Sequence, residues 1–150
     1  MRISEHFSLA ELCNSASAKR HGISNVADEK SIKNLTILAE NILEPIRKHF
    51  EQPIHISSGY RCPALNKKVG GSKTSQHLIG QAVDIDNDNT EISNAEIFNF
   101  IKDNLKYDQL IWEFGNDENP DWVHVSFSNK PRKQILKAYK NGLSTVYKKI

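Results

Sequence analysis

Ser75-Gln76-His77-Leu78-Ile79-Gly80-Gln81-Ala82-Val83-Asp84-Ile85-Asp86 runs from a polar turn into an alternating segment. Gly80 permits the turn, and Ala82 to Asp86 reads as a strand. Side chains alternate along a strand, so Ala82, Asp84 and Asp86 share one face. His77 lies at the end of the glycine-rich stretch just ahead of them. A turn followed by a short strand can therefore aim an imidazole and a carboxylate at one point. Both groups are good ligands for Zn²⁺, and the small side chain of Ala82 leaves room for an ion.

Upstream, the pattern is helical. Ser8-Leu9-Ala10-Glu11 has the form of a capping box, which starts a short helix. Ile32, Leu35, Leu38, Ala39, Ile42, Leu43, Ile46 and Phe50 recur every three or four residues and make one apolar face. Pro45 falls inside that run and should kink or fray its last turn. Ile54 to Ser57 alternates as a strand, and residues 58–76 form a long irregular stretch with at most one short helix after Pro63. Connections of that length in a small domain usually carry function or are disordered.

Downstream, Ser93-Asn94-Ala95-Glu96 is a second capping box, continued by Ile97, Phe98, Ile101 and Leu105. Gln109 to Phe114 and Trp122 to Phe127 read as strands around a polar loop. Residues 134–148 read as a hairpin turning at Asn141-Gly142. Helices early and strands late, with hairpin-length connections, predict an α+β fold with a largely antiparallel sheet and helices on one side. With no repeat and no linker rich in Pro, Gly or Ser, the expectation is one domain over residues 1–150.

Composition narrows the classes. Of 150 residues, 38% are apolar and 25% charged, enough for a packed core and too apolar for a disordered chain. A net charge of +2 does not by itself point to nucleic acid. No apolar run approaches the ~20 residues that span a bilayer. The polar start Met1-Arg2-Ile3-Ser4-Glu5-His6 lacks the apolar stretch of a signal peptide. Cys13 and Cys62 are the only cysteines, which excludes a four-cysteine zinc site and a disulfide-dense scaffold and leaves two free thiols. Asp86, Asp88 and their asparagine neighbours lack the glycine and distant glutamate of a calcium loop.

A catalytic zinc needs a third ligand. In Asp121-Trp122-Val123-His124-Val125-Ser126, strand alternation turns Trp122, His124 and Ser126 away from the two valines. His77, Asp84 and His124 would be three protein ligands, leaving a fourth position for water, which is the catalytic form of a zinc site. Water on zinc has its pKa lowered to ~7. It still needs a neighbouring base: Asp121, three residues before His124, is placed best by spacing, with Glu113 as the reserve. Arg61, directly after a strand, is the candidate to polarise a carbonyl or hold a carboxylate. His6, His21, His49 and His55 have no partner spacing and are read as structural or solvated.

At these residues the sequence resembles the zinc D-Ala-D-Ala carboxypeptidases and their phage endolysin relatives. The resemblance lies in Ser57-Ser58-Gly59-Tyr60-Arg61, in Ser75-x-His77-x-x-Gly80-x-Ala82-x-Asp84 and in Asp121-Trp122-Val123-His124-Val125-Ser126, in that order. His6 to Leu12 and Ala18 to Asn25 also look like the start of such members. The resemblance implies that His77, Asp84 and His124 bind zinc and that Asp121 is the catalytic acid/base. It implies that Arg61 contacts substrate and steadies the oxyanion, and that Ser75 lies near the substrate. It further implies the small α+β fold shared with the Hedgehog signalling domain, and peptidoglycan stem peptides as substrates.

The leading expectation is thus a monomeric zinc peptidase of cell-wall peptides, with no nucleic-acid partner and no membrane span. Without an export signal, it fits a cytoplasmic peptide-processing enzyme or a phage or prophage enzyme released to the wall by a holin. The alternative is a non-catalytic zinc-containing wall-binding or signalling module of the same fold. The lysine-rich stretch after Asp121 is read as a solvated sheet edge, with nucleic-acid binding ranked last.

Overall fold

The apolar residues of the central strands sort onto one side of a sheet. In the computed structural model, which describes residues 1–150, six strands form that sheet: β1 (Ile56–Ser58), β2 (Ala82–Ile85), β3 (Gln109–Glu113), β4 (Trp122–Ser126), β5 (Gln134–Asn141) and β6 (Ser144–Lys149). Their order is β1-β2-β4-β3-β5-β6. Every neighbouring pair is antiparallel except β3 and β5, which run parallel. The expected antiparallel sheet therefore holds one parallel ladder. After β4 the chain crosses the end of β3 and re-enters on its far side, where the Gln134 and Lys133 amides donate to the Asp108 and Tyr107 carbonyls.

Six α-helices accompany the sheet: α1 (Leu9–Cys13), α2 (Ala16–Arg20), α3 (Glu29–Leu38), α4 (Glu44–Phe50), α5 (Pro63–Lys68) and α6 (Asn94–Asn104). The two capping boxes form as read, since Ser8 Oγ accepts from the Glu11 amide and Ser93 Oγ from the Glu96 amide. Asp28 caps α3 in the same way, through the Ser31 amide. Such caps are typically worth ~1 kcal/mol each. Between α3 and α4 the helix does not break at Pro45. It widens into a π-helical turn over Ala39–Leu43. A proline lacks the amide for the normal bond and its ring presses on the carbonyl four residues back, so the wider turn gives the ring room.

Leu35, Leu38, Ile42, Leu43 and Ile46 from this long helical run meet Ile97, Phe98 and Ile101 of α6 and the inward residues of the sheet. Those inward residues are Val83, Ile85, Leu110, Trp112, Val123 and Val125. By alternation, Asp84, Ile111, Glu113, Trp122 and His124 point to the opposite face, where no helix of the core covers them. Asp86 and Asp88, the acids of the apparent calcium loop, hydrogen-bond Asn94 and Asn119, and Asn94 also reaches the Asp121 carbonyl, which ties the 86–94 turn to the 115–120 loop. Cys13 and Cys62 are free thiols. No helix is long and apolar enough to cross a membrane.

Candidate metal centre

His77 is set by backbone groups on both sides of it. It lies on a single 3₁₀ turn, Gln76–Ile79, whose first amides are capped by Ser75: the Ser75 Oγ accepts from the His77 amide at 3.2 Å. Gly80 ends the turn at φ +75°, and a Cβ there would collide with the Ser31 carbonyl of α3. Only glycine meets both demands. The His77 ring donates from Nδ1 to the Gly59 carbonyl at 2.7 Å. That carbonyl is brought close because Gly59 lies against the Leu12 backbone, again with no room for a Cβ. A donor at Nδ1 leaves Nε2 of the neutral ring as a bare acceptor.

That bare nitrogen lies 3.5 Å from Asp84 Oδ1, and His124 Nδ1 lies 3.1 Å from the same oxygen. The β2–β4 register accounts for this, because it sets Asp84 directly across from His124. The three ligating atoms are all within 4.8 Å of one another. His77 is 1% exposed, and its Nε2 is buried with no hydrogen-bond partner. A bare lone pair facing a carboxylate is two acceptors without a proton between them. A cation resolves that conflict, and two nitrogens with one oxygen suit a divalent ion of the zinc type. Burial works to raise the Asp84 carboxyl, but the His77 imidazole and the His124 hydrogen bond outweigh it and hold the group well below the usual carboxylate range. A ligand carboxylate must be ionised, and the direction of this shift favours that form.

Two further groups face the same cavity, which has a volume of about 650 Å³. Glu113, 7% exposed, stands at the end of β3 opposite Trp122. Burial pushes its carboxyl up to about 7, moderated by His124 and Arg61 and reinforced by the Asp84 charge. The Arg61 amide donates to the His77 carbonyl, and its Nη1 donates to Asn66 Oδ1 at 3.1 Å. Arg61 Nε is buried without a partner. Burial lowers the Arg61 pKa, while Asp84 and Glu113 raise it.

Asp121 is elsewhere. It is exposed and lines a separate shallow depression with Asp117, Lys137 and Lys148. Asp121 precedes β4, which begins at Trp122, so strand alternation does not aim its side chain at the face that carries His124. Glu113, across from Trp122 in the β3–β4 pair, shares the sheet face of Trp122 and His124. Ser75 lies on the cavity wall as well as capping the turn. Tyr60 and Trp112 pack in the core, whereas Trp122 lines the cavity.

A family model described as Peptidase M15 matches residues 5–126. The chain belongs to the peptidase M15 family. No curated protein matches it. The matched span of this M15 peptidase contains His77, Asp84, His124, Glu113 and Arg61. The cavity of the peptidase extends past that span, because Arg132, Gln134, Leu136 and Tyr147 also line it. No sequence signal marked those four residues, since β5 reads only as half of a hairpin and its parallel pairing with β3 is what carries it to the cavity.

Proposed function

We propose that this M15 peptidase is a zinc-dependent hydrolase of peptidoglycan stem peptides, acting as a D-Ala-D-Ala carboxypeptidase or as an endolysin-type endopeptidase. The observation that carries the reading is the convergence of His77 Nε2, Asp84 Oδ1 and His124 Nδ1 on one cavity wall, with Glu113 and Arg61 facing the same space.

His77, Asp84 and His124 would hold the ion, and the Gly59 carbonyl fixes which His77 nitrogen is offered to it. Bound zinc supplies Lewis acidity, which acidifies a water and polarises the scissile carbonyl. Glu113 is the base in this reading. Its carboxylate takes a proton from the attacking water and returns it to the leaving amine. A carboxyl whose pKa lies near neutrality is suited to both transfers. The Arg61 guanidinium, with Nε unspent, donates to the carbonyl oxygen as negative charge grows there. The apolar and aromatic residues Ile111, Phe114, Trp122 and Leu136 bound the rest of the cavity and give a peptide side-chain contacts without competing hydrogen bonds. On this reading the enzyme works on the cell wall, with phage- or prophage-type release as its route there.

The test is mass spectrometry of peptidoglycan fragments incubated with the zinc-loaded protein, with and without a chelator. Chelator-sensitive cleavage at one stem-peptide bond supports the proposal. Binding of fragments without any cleavage contradicts it and favours a wall-binding module.

A further inference from the structure

Arg132 belongs to no step described so far, yet its side chain reaches the cavity. It precedes β5, beyond the span shared with the family. Its guanidinium is held on one edge by Asp108: Nε donates to Oδ1 at 3.0 Å and Nη2 to Oδ2 at 2.9 Å, while the Arg132 amide adds a third bond to Oδ1 at 2.9 Å. Asp108 is 3% exposed and does not itself line the cavity. Its fourth acceptor position takes Gln76 Nε2 at 2.9 Å. Asp108 is therefore saturated and serves as a fixed mount. Gln76 is the residue before His77, so the mount joins the Arg132 guanidinium to the turn that presents the metal ligand.

What remains free is the other edge of the guanidinium. No protein group accepts from Arg132 Nη1, and the side chain is 56% exposed. A planar donor edge, held by a buried carboxylate and turned to a peptide-sized cavity, matches the two oxygens of a second carboxylate. The acidic groups that line the cavity are Asp84, whose Oδ1 lies 3.5 Å from His77 Nε2 and 3.1 Å from His124 Nδ1, and Glu113 at the end of β3. We propose that Arg132 is a specificity residue of the peptidase, clamping a carboxylate of the peptide substrate through its free edge. The inference rests on the peptidase reading above and adds a substrate class to it: acidic peptides, bound by a carboxylate other than the bond being cut. That carboxylate is either the free C-terminus or the carboxylate of an internal acidic residue.

Isothermal titration separates these sources. The zinc-loaded Glu113→Gln protein, whose turnover should be ~10²–10⁴-fold slower, is titrated with N-acetyl-L-Lys-D-Ala-D-Ala and its C-terminal amide, and with L-Ala-γ-D-Glu-L-Lys and the analogue carrying D-isoglutamine. One acid should bind about tenfold more tightly than its amide, the equivalent of ~1.4 kcal/mol. Adding Arg132→Ala should bring that ratio to within about twofold while leaving affinity for the amide unchanged. Arg132→Lys should keep only part of the ratio, because a point charge cannot grip Asp108 and present a planar edge together. In the otherwise wild-type enzyme, Arg132→Ala should raise KM for the acid by a larger factor than it lowers kcat. A ratio that survives Arg132→Ala, or no preference for either acid, overturns the inference. If wild-type enzyme cleaves acid and amide equally well, the peptidase reading stands and only the role of Arg132 falls.

Discussion

A carboxylate three residues before His124 is attractive on spacing, but Asp121 precedes β4 and lies outside the cavity that holds His124. Asp121 is exposed beside Lys137 and Lys148, while Glu113 is buried and lines the cavity that holds both histidines. The consequence is a paired measurement. Glu113→Gln should keep bound zinc and lose kcat by ~10²–10⁴-fold, the usual contribution of a positioned base, whereas Asp121→Asn should stay within a few-fold of wild type. The reverse pattern would restore Asp121. Glu113 also sets a pH dependence of stability. Its folded pKa, about 7, is above the 4.5 of an unperturbed glutamate. The folded protein thus holds this proton more tightly than the unfolded chain does. Stability from this group is present at low pH and is lost as pH rises from about 4.5 through about 7. The loss amounts to roughly 3 kcal/mol. Thermal melts of metal-free protein at pH 5 and pH 8 should show a fall in Tm that Glu113→Gln reduces. An unchanged fall in the variant would place the proton elsewhere.

At the scale of elements, the ligands depend on three short pieces: the 3₁₀ turn before Gly80, strand β2, and strand β4. Their faces were legible because alternation is strict. Val83, Ile85, Val123 and Val125 had to find the core, which left Asp84 and His124 together on the other side. The two capping boxes and the Asn141-Gly142 hairpin were legible for equally local reasons. Three features were not. The π turn before Pro45 is a compromise between helix and proline that periodicity does not encode. Helix α2 has five residues, too short for an apolar period. The parallel β3–β5 ladder is set by where residues 127–133 cross, which is tertiary information. With it went the cavity wall made by β5 and β6. The turn itself is testable. Gly80→Ala must hold an alanine at positive φ and also move the Ser31 carbonyl of α3, at a cost of roughly 2 kcal/mol. Chemical denaturation should show that loss, together with weaker zinc binding because His77 moves with the turn. Unchanged stability and zinc affinity would mean the contact with α3 does not hold the turn.

For the whole molecule, the sheet is a partition. One face is covered by helices and supplies the packing energy, and the other carries buried polar groups that packing alone does not satisfy. His77 Nε2, His124 Nε2 and Arg61 Nε all lack partners, and an unpaired buried polar atom typically costs ~1–3 kcal/mol. Binding an ion to the folded state should recover part of that cost and add the mass-action gain, ~4 kcal/mol at a thousandfold excess over Kd. Zinc should therefore raise Tm and a chelator should lower it, and His77→Ala should abolish the difference. A chelator without effect on Tm in the wild-type protein would mean that the ion does not bind the native state. The position of that ion decides the matter, and anomalous diffraction at the zinc edge from zinc-soaked crystals locates it directly. The expected result is one peak at about 2.0–2.2 Å from His77 Nε2, His124 Nδ1 and an Asp84 oxygen, with no fourth protein ligand. No peak at these three side chains, or a fourth protein donor completing the tetrahedron, would contradict it.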